Sequence, residues 1–156
     1  MIKTNIICIG SIKESYFKDA VNEYVKRLSK FTKLTITELP ETKLTIKNDK
    51  DIEIIKQRET NNIISKLSGY VILLDVKGQA FSSEKLAYKI IEIANTNSTI
   101  TFVIGGSYGT ADLLNQYINL NLSFSDFTMP HQLMRVVLLE QIYRAFTIIN
   151  NITYHK

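Results

Sequence analysis

The segment from Thr128 to Lys156, TMPHQLMRVVLLEQIYRAFTIINNITYHK, constrains the fold more than any other: it patterns as a helix that is apolar all round and still carries five functional side chains. His131, Arg135, Glu140, Gln141 and Arg144 stand among Leu133, Met134, Val136, Val137, Leu138, Leu139, Ile142, Tyr143, Ala145, Phe146, Ile148 and Ile149. At 3.6 residues per turn these apolar residues leave no wide solvated face, so the helix requires burial on more than one side. A chain of 156 residues can cover one side of its last helix. The other side is expected to meet a partner. Pro130 suits the first turn, because proline has no amide hydrogen to lose there and its φ is already helical.

The length predicts one domain over residues 1–156, large enough to bury roughly two thirds of the surface of its unfolded chain. There is no apolar run of ~18 residues, and the start, MIKTNIICIGSIKES, lacks a signal-peptide pattern, which predicts a soluble, cytoplasmic protein with no membrane partner. The one cysteine, Cys8, cannot form an internal disulfide and reads as a buried strand residue in a reducing compartment. Charge is unevenly placed. The formal excess of +4 lies within Met1–Ile36, where Lys3, Lys13, Lys18, Lys26, Arg27, Lys30 and Lys33 face only Glu14, Asp19 and Glu23. That stretch suits a polyanion such as nucleic acid, or is a solvated helix face.

Apolar periodicity predicts strands over Ile2–Ile9, Leu34–Leu39, Tyr70–Leu74, Thr99–Ile104 and Leu120–Phe124. Between them it predicts helices over 13–28, 51–67 and 83–94, the third capped by Ser82 or Ser83, and a short helix over 111–116. A polar loop is expected from Lys43 to Asp51 and a turn at Lys77–Gln79. Repeated β-α alternation with apolar strands argues for an α/β fold with a mostly parallel sheet covered on both faces.

Ligands of such sheets bind beyond the carboxyl ends of the strands. Three loops there are unusual. Asp75-Val76-Lys77-Gly78 follows Leu74, Gly105-Gly106-Ser107-Tyr108-Gly109 follows Ile104, and Ser125-Asp126-Phe127-Thr128-Met129-Pro130 follows Phe124. Adjacent glycines let a backbone approach a ligand closely, or simply make a tight strand-to-helix turn. The dinucleotide fingerprint fails, since Ile104 stands two residues before Gly106, and no G-K-[ST] completes a phosphate loop. His131 and His155 are the only histidines and neither has a second ligand at metal-site spacing, so no metal is expected. No G-x-S-x-G elbow supports a nucleophile.

Four segments in order, LLDVKGQAFSSE (Leu73–Glu84), FVIGGSYG (Phe102–Gly109), LSFSDFTMPHQLMRVVLLEQIYRA (Leu122–Ala145) and the terminal YHK, resemble the RlmH-type ribosomal RNA methyltransferases, small members of the SPOUT class. The N-terminal IGSIKESYFKDAVNEYVKRL resembles them too, so the likeness spans nearly the whole chain. It implies a SPOUT-type α/β fold with a C-terminal trefoil knot, S-adenosylmethionine as cofactor, and a homodimer built through the C-terminal helix. It also implies an acceptor: N3 of a pseudouridine in helix 69 of large-subunit (23S) ribosomal RNA, modified in an assembled ribosome. The matching cofactor positions are Leu74, Gly105, Phe124, Ser125, Asp126, Phe127, Thr128 and Met129.

S-adenosylmethionine needs apolar walls and free backbone donors and acceptors more than fixed charges, and those positions supply the mixture. Its methyl group is already activated, which leaves the enzyme to align it and to help remove the acceptor's imino proton. Candidates for that proton are His155 and Tyr154 in the tail, His131, Asp126 and Glu140; a histidine near its ordinary pKa of about 6.5 suits neutral pH, which favours His155. Arg135 is expected to contact phosphate or orient the acceptor base. Arg144 has Glu140 four residues before it, a spacing that also suits simple charge pairing inside a buried helix. Ser11, Asn151 and Thr153 depart from the family's usual lysine, glycine and proline, and asparagine can still adopt the left-handed bend at 151. Two other readings are a non-catalytic ribosome-binding protein and a nicotinamide-dependent oxidoreductase; for the latter, too few residues follow Gly109 for the second half of a dinucleotide fold.

Overall fold

Strand β1, Lys3–Ile9, shows why this sheet is covered on both faces: Ile6 and Cys8 point one way, Ile7 and Ile9 the other, and all four are buried. The computed structural model describes residues 1–156. After β1 come α1 (Ser15–Leu28), β2 (Lys33–Leu39), α2 (Asp49–Ile64), β3 (Tyr70–Ala80), α3 (Ser83–Ala94), β4 (Thr99–Ile104), a 3-10 helix (Asp112–Tyr117), β5 (Leu120–Ser123) and α4 (His131–Ile149). The strands lie in the order β2-β1-β4-β3-β5, and every neighbouring pair is parallel. On one face α1, α3 and α4 close over Ile6, Ile72, Phe102 and Leu122; on the other α2 and the 3-10 helix close over Ile7, Leu73 and Val103. The predicted α/β class and parallel sheet are what the chain adopts.

Local chemistry sets the helix starts. Asn48 caps α2, its Oδ1 accepting from the amides of Lys50 at 3.0 Å and Asp51 at 3.3 Å, so the helix begins two residues earlier than expected. Ser82 caps α3 by accepting from Lys85 N–H at 3.1 Å. Helix α1 has no side-chain cap of its own, and Gln132 Oε1 anchors the chain leading into it from across the fold by accepting from Lys13 N–H at 3.0 Å and Glu14 N–H at 3.4 Å. Pro130 sits just before α4, at its cap.

Two expectations are corrected. The turn at Lys77–Gln79 lies inside β3, which continues to Ala80. The ladder with β5 is interrupted, however: both Leu74 and Gln79 face Leu122, so residues 75–78 leave the pairing and rejoin it. Polar residues at 75, 77 and 79 hid that continuation, because apolar patterning stops at Leu74. The second correction concerns α4. It lies between α1 and α3, and its own chain buries Leu138, Leu139, Ile142, Ala145 and Phe146, leaving only Leu133 exposed along the helix. Two helical neighbours plus the sheet cover more of α4 than the one side expected of a single chain. A half-buried stripe of Val136, Val137, Glu140, Gln141 and Arg144 remains.

Candidate active site

At the carboxyl ends of β3, β4 and β5 the three loops surround a cavity of about 680 Å³, within the range of small-molecule sites. Each loop reaches it for a local reason. Residues 75–78 are turned outward by the interrupted ladder, and Asp75 Oδ1 accepts from Lys77 N–H at 2.9 Å to close the turn. The second loop closes on itself through Gly109 N–H donating to Gly106 O at 2.9 Å, with Gly109 at φ +81°. In the third, Ser125 accepts twice: its Oγ from Phe127 N–H at 3.0 Å and its carbonyl from Ser123 Oγ at 3.1 Å. Phe127 is left 79% exposed at the mouth.

Seven of the eight expected cofactor positions line this cavity: Leu74, Gly105, Phe124, Ser125, Phe127, Thr128 and Met129; Asp126 is exposed outside the lining. Ile104, Leu122 and Met134 complete apolar walls, and the backbone of Gly105–Gly109 supplies polar groups. A Cβ at Gly105 would come within 3.0 Å of Thr110 Cγ2, so the loop is already as tight as the strand end permits. Apolar walls with backbone donors and acceptors fit an adenine, a sulfonium and an amino-acid tail, so the donor set suits S-adenosylmethionine. His131, one of the candidates for the acceptor's proton, lines the same cavity, as do Asp112 and Tyr108.

The three catalytic candidates lie elsewhere. Arg135, expected at the acceptor, is buried: its guanidinium donates to Glu38 Oε2 at 2.6 Å and to Gly10 O at 3.0 Å, tying α4 to the ends of β1 and β2, and its Nε has no partner. The tail folds back at Asn151, whose φ of +55° is the left-handed bend anticipated for asparagine. It brings Tyr154 onto Tyr143, with ring centroids 4.8 Å apart, and His155 between Arg144 and Glu84. Arg144 donates to Glu140 Oε1, which also accepts from Tyr154 Oη at 3.1 Å. The expected Glu140–Arg144 pair is therefore present, inside a larger network. Since a guanidinium can only donate, His155 Nδ1 accepts from Arg144 at 3.2 Å and Nε2–H donates to Glu84 Oε1 at 2.8 Å. Burial, then the hydrogen bonds of Tyr24 and Glu140, push the Tyr154 phenol up to about 12, which keeps it protonated and unsuited to take a proton at neutral pH. The hydrogen bond from His155 holds Glu84 below the usual carboxylate range.

Glu59 was missed. It is buried on α2, behind the glycine loop, and burial raises its carboxyl pKa. The signal was available: Ile55, Glu59 and Ile63 are spaced by four, so the acid falls on the helix's apolar stripe. No group of three or more histidine, cysteine, aspartate or glutamate side chains is placed to hold a metal ion. No helix is long and apolar enough to cross a membrane.

The model for predicted SPOUT methyltransferases matches residues 2–155. Ribosomal RNA large subunit methyltransferase H of Lactobacillus acidophilus is 48% identical over 155 residues, covering 97% of this chain and 98% of that protein. The protein of the same name in Clostridium acetobutylicum is 47% identical with the same coverage. Among solved structures, that of a probable methylase family protein from Haemophilus influenzae superposes with a TM-score of 0.56 at 13% identity, over 100% of this chain and 72% of that one. At that identity the likeness speaks to fold alone.

Proposed function

The chain belongs to the SPOUT methyltransferase family, and on that premise we propose that it transfers a methyl group from S-adenosylmethionine to large-subunit ribosomal RNA in the cytoplasm. The finer reading is N3 of a pseudouridine in helix 69, modified on the assembled ribosome by a homodimer with the family's C-terminal knot. The observation that supports the methyl-transfer reading is the convergence of seven cofactor positions from three separate loops on one cavity.

S-adenosylmethionine, when bound, supplies a methyl group already activated by its sulfonium. The chain's own residues do the rest. Leu74, Phe124 and Met129 hold apolar parts, Gly105 and the Ser125–Thr128 backbone meet polar ones, and the walls keep water from the transfer. An imino nitrogen must lose a proton to become a nucleophile, and His155 is the group proposed to take it. Its Nδ1 lone pair is occupied by Arg144, so it acts after leaving that contact, across the seam where the partner's pocket is reached. Tyr154, protonated and set edge to face against Tyr143, sets where the tail pivots. Arg135, being buried, contributes by fixing the start of α4 beside the cofactor loop. The half-buried stripe of α4 is the proposed dimer seam, and the basic N-terminal stretch meets RNA phosphates.

Incubation with labelled S-adenosylmethionine and undermethylated ribosomes, followed by mapping of the label, tests the reading; label on protein-free RNA but not on ribosomes would reject the assembled substrate. Deleting Tyr154–Lys156 is expected to slow transfer by about 100-fold or more while cofactor affinity is kept. Unchanged turnover rejects the role of the tail. A non-catalytic ribosome-binding protein would show no calorimetric binding of the cofactor.

A further inference from the structure

Two adjacent residues of α2 grip the glycine loop from behind. Glu59 is 3% exposed, and its Oε2 accepts from Thr42 N–H at 2.9 Å. Its Oε1 lies against the α-carbon of Gly106: a Cβ there would overlap Oε1 and stand 3.3 Å from Cδ and 3.4 Å from Ile9 Cγ2. Thr60, fully buried, accepts from Ala111 N–H at 2.9 Å through Oγ1. The loop is thus held at Gly106 and at Ala111, while Ser107, Tyr108 and Gly109 between them are exposed and line the cavity. Glu59 itself does not line it.

We propose that Glu59 is a positioning residue for cofactor binding: its carboxylate is the surface on which Gly106 rests, and it fixes the loop in the shape that receives S-adenosylmethionine. This deepens the methyltransferase reading and rests on it. The geometry explains why this position carries an acid and not a hydrocarbon. An apolar side chain could fill the space behind Gly106 but would leave Thr42 N–H without an acceptor. It also explains why Gly106 is glycine despite a φ that is not positive. Burial raises the carboxyl pKa, and the hydrogen bond from the Thr42 amide opposes that rise.

Calorimetric titration of S-adenosylmethionine into the full chain tests this with Glu59→Ala, Glu59→Gln, Gly106→Ala and the double variant Glu59→Ala/Gly106→Ala. Glu59→Ala is expected to weaken binding about tenfold, because a loop no longer held must be ordered on binding. Glu59→Gln, which keeps the shape and an acceptor for Thr42, stays within about threefold of the parent. Gly106→Ala weakens binding through the overlap, and the double variant is no weaker than the worse single, since both changes act on one contact. Amide hydrogen exchange at residues 105–111 of the protein without cofactor rises in Glu59→Ala and not in Glu59→Gln. Parent-like affinity and exchange in Glu59→Ala, or strict additivity in the double variant, overturns the proposal. A parent chain that does not bind S-adenosylmethionine would instead overturn the functional reading, and exchange in the free protein would still decide the role of Glu59. Should Glu59→Ala not fold, Glu59→Asp, which withdraws the carboxylate from Gly106 by one methylene, carries the same expectations.

Discussion

On the face covered by α1, α3 and α4 the buried hydroxyls close within their own layer, Thr4 on Thr32 at 2.7 Å and Thr147 on Arg144 O at 2.6 Å, whereas on the α2 face Glu59 and Thr60 turn a carboxylate and a hydroxyl towards the loops at Thr42 N–H and Ala111 N–H. The first face joins 19 buried residues in one cluster and the second joins 8, so the bulk of the hydrophobic stabilisation lies on the first. The second gives up apolar contact for polar contacts that reach the loops. Where the chain needs only cohesion it uses Leu138, Ile142 and Phe102; where it needs a loop held in one shape it uses groups with directional bonds. Arg135 marks the boundary, since it lies at the α4 end nearest the cofactor loop and is the one buried charge on that side.

The largest effect expected is from Leu138→Ala on the apolar face: a loss of about 2–5 kcal/mol in urea denaturation, with the S-adenosylmethionine affinity of the folded variant unchanged. A parallel loss of affinity would break the division between the faces. Next comes the boundary. Glu38→Ala leaves the 3% exposed Arg135 guanidinium without its carboxylate, and because the Glu38 side chain is 45% exposed the cost should be about 1–3 kcal/mol, below that of a fully buried pair. Arg135→Met, which removes the charge along with its need for a partner, should cost less than Glu38→Ala; the reverse order would show that Arg135 matters mainly through its contact with Gly10 O.

The smallest effect sharpens how dry the apolar face is. Burial pushes the Cys8 thiol up to about 11 from 9.0, against an opposing pull from Arg135. The folded state thus disfavours the thiolate, while the unfolded chain ionises near the ordinary value. That contribution is fully present below pH 9 and is lost as pH rises towards 11, amounting to about 1 kcal/mol by pH 10. Denaturant melts should show the parent losing stability faster than Cys8→Ala over that interval. Identical slopes would mean that water reaches Cys8.

The sequence made the first face far more legible than the second. Period-two strands and the apolar helix patterns follow from burial alone, and burial is what hydrophobic spacing reports. Residues 75–80 were not legible as strand, since their pairing depends on Leu122 and not on their own apolar content. The enclosure of α4 by α1 and α3 was equally hidden: one helix's composition says how much must be covered and nothing about which segments cover it. In the site, the positions given by family resemblance converge on the cavity because backbone loops after strands must gather at one end of a parallel sheet. The tail candidates do not converge with them within one chain, and nothing in TYHK by itself shows that Glu84 and Arg144 would hold His155.

The strand order also governs when this protein can fold. Two strand pairs, β1 with β2 and β3 with β4, are neighbours both along the chain and in the sheet; β1 still needs β4 on its other side, with Lys3 facing Thr99, and β3 cannot be flanked until β4 and β5 exist. A chain emerging from a ribosome must therefore keep Ile6, Cys8 and Ile72 uncovered through most of its synthesis, and α4, the last helix made, seals them. Long-range parallel pairing of this kind is slow and exposes apolar strands in the meantime. The lysines concentrated before residue 36 would keep that waiting segment soluble.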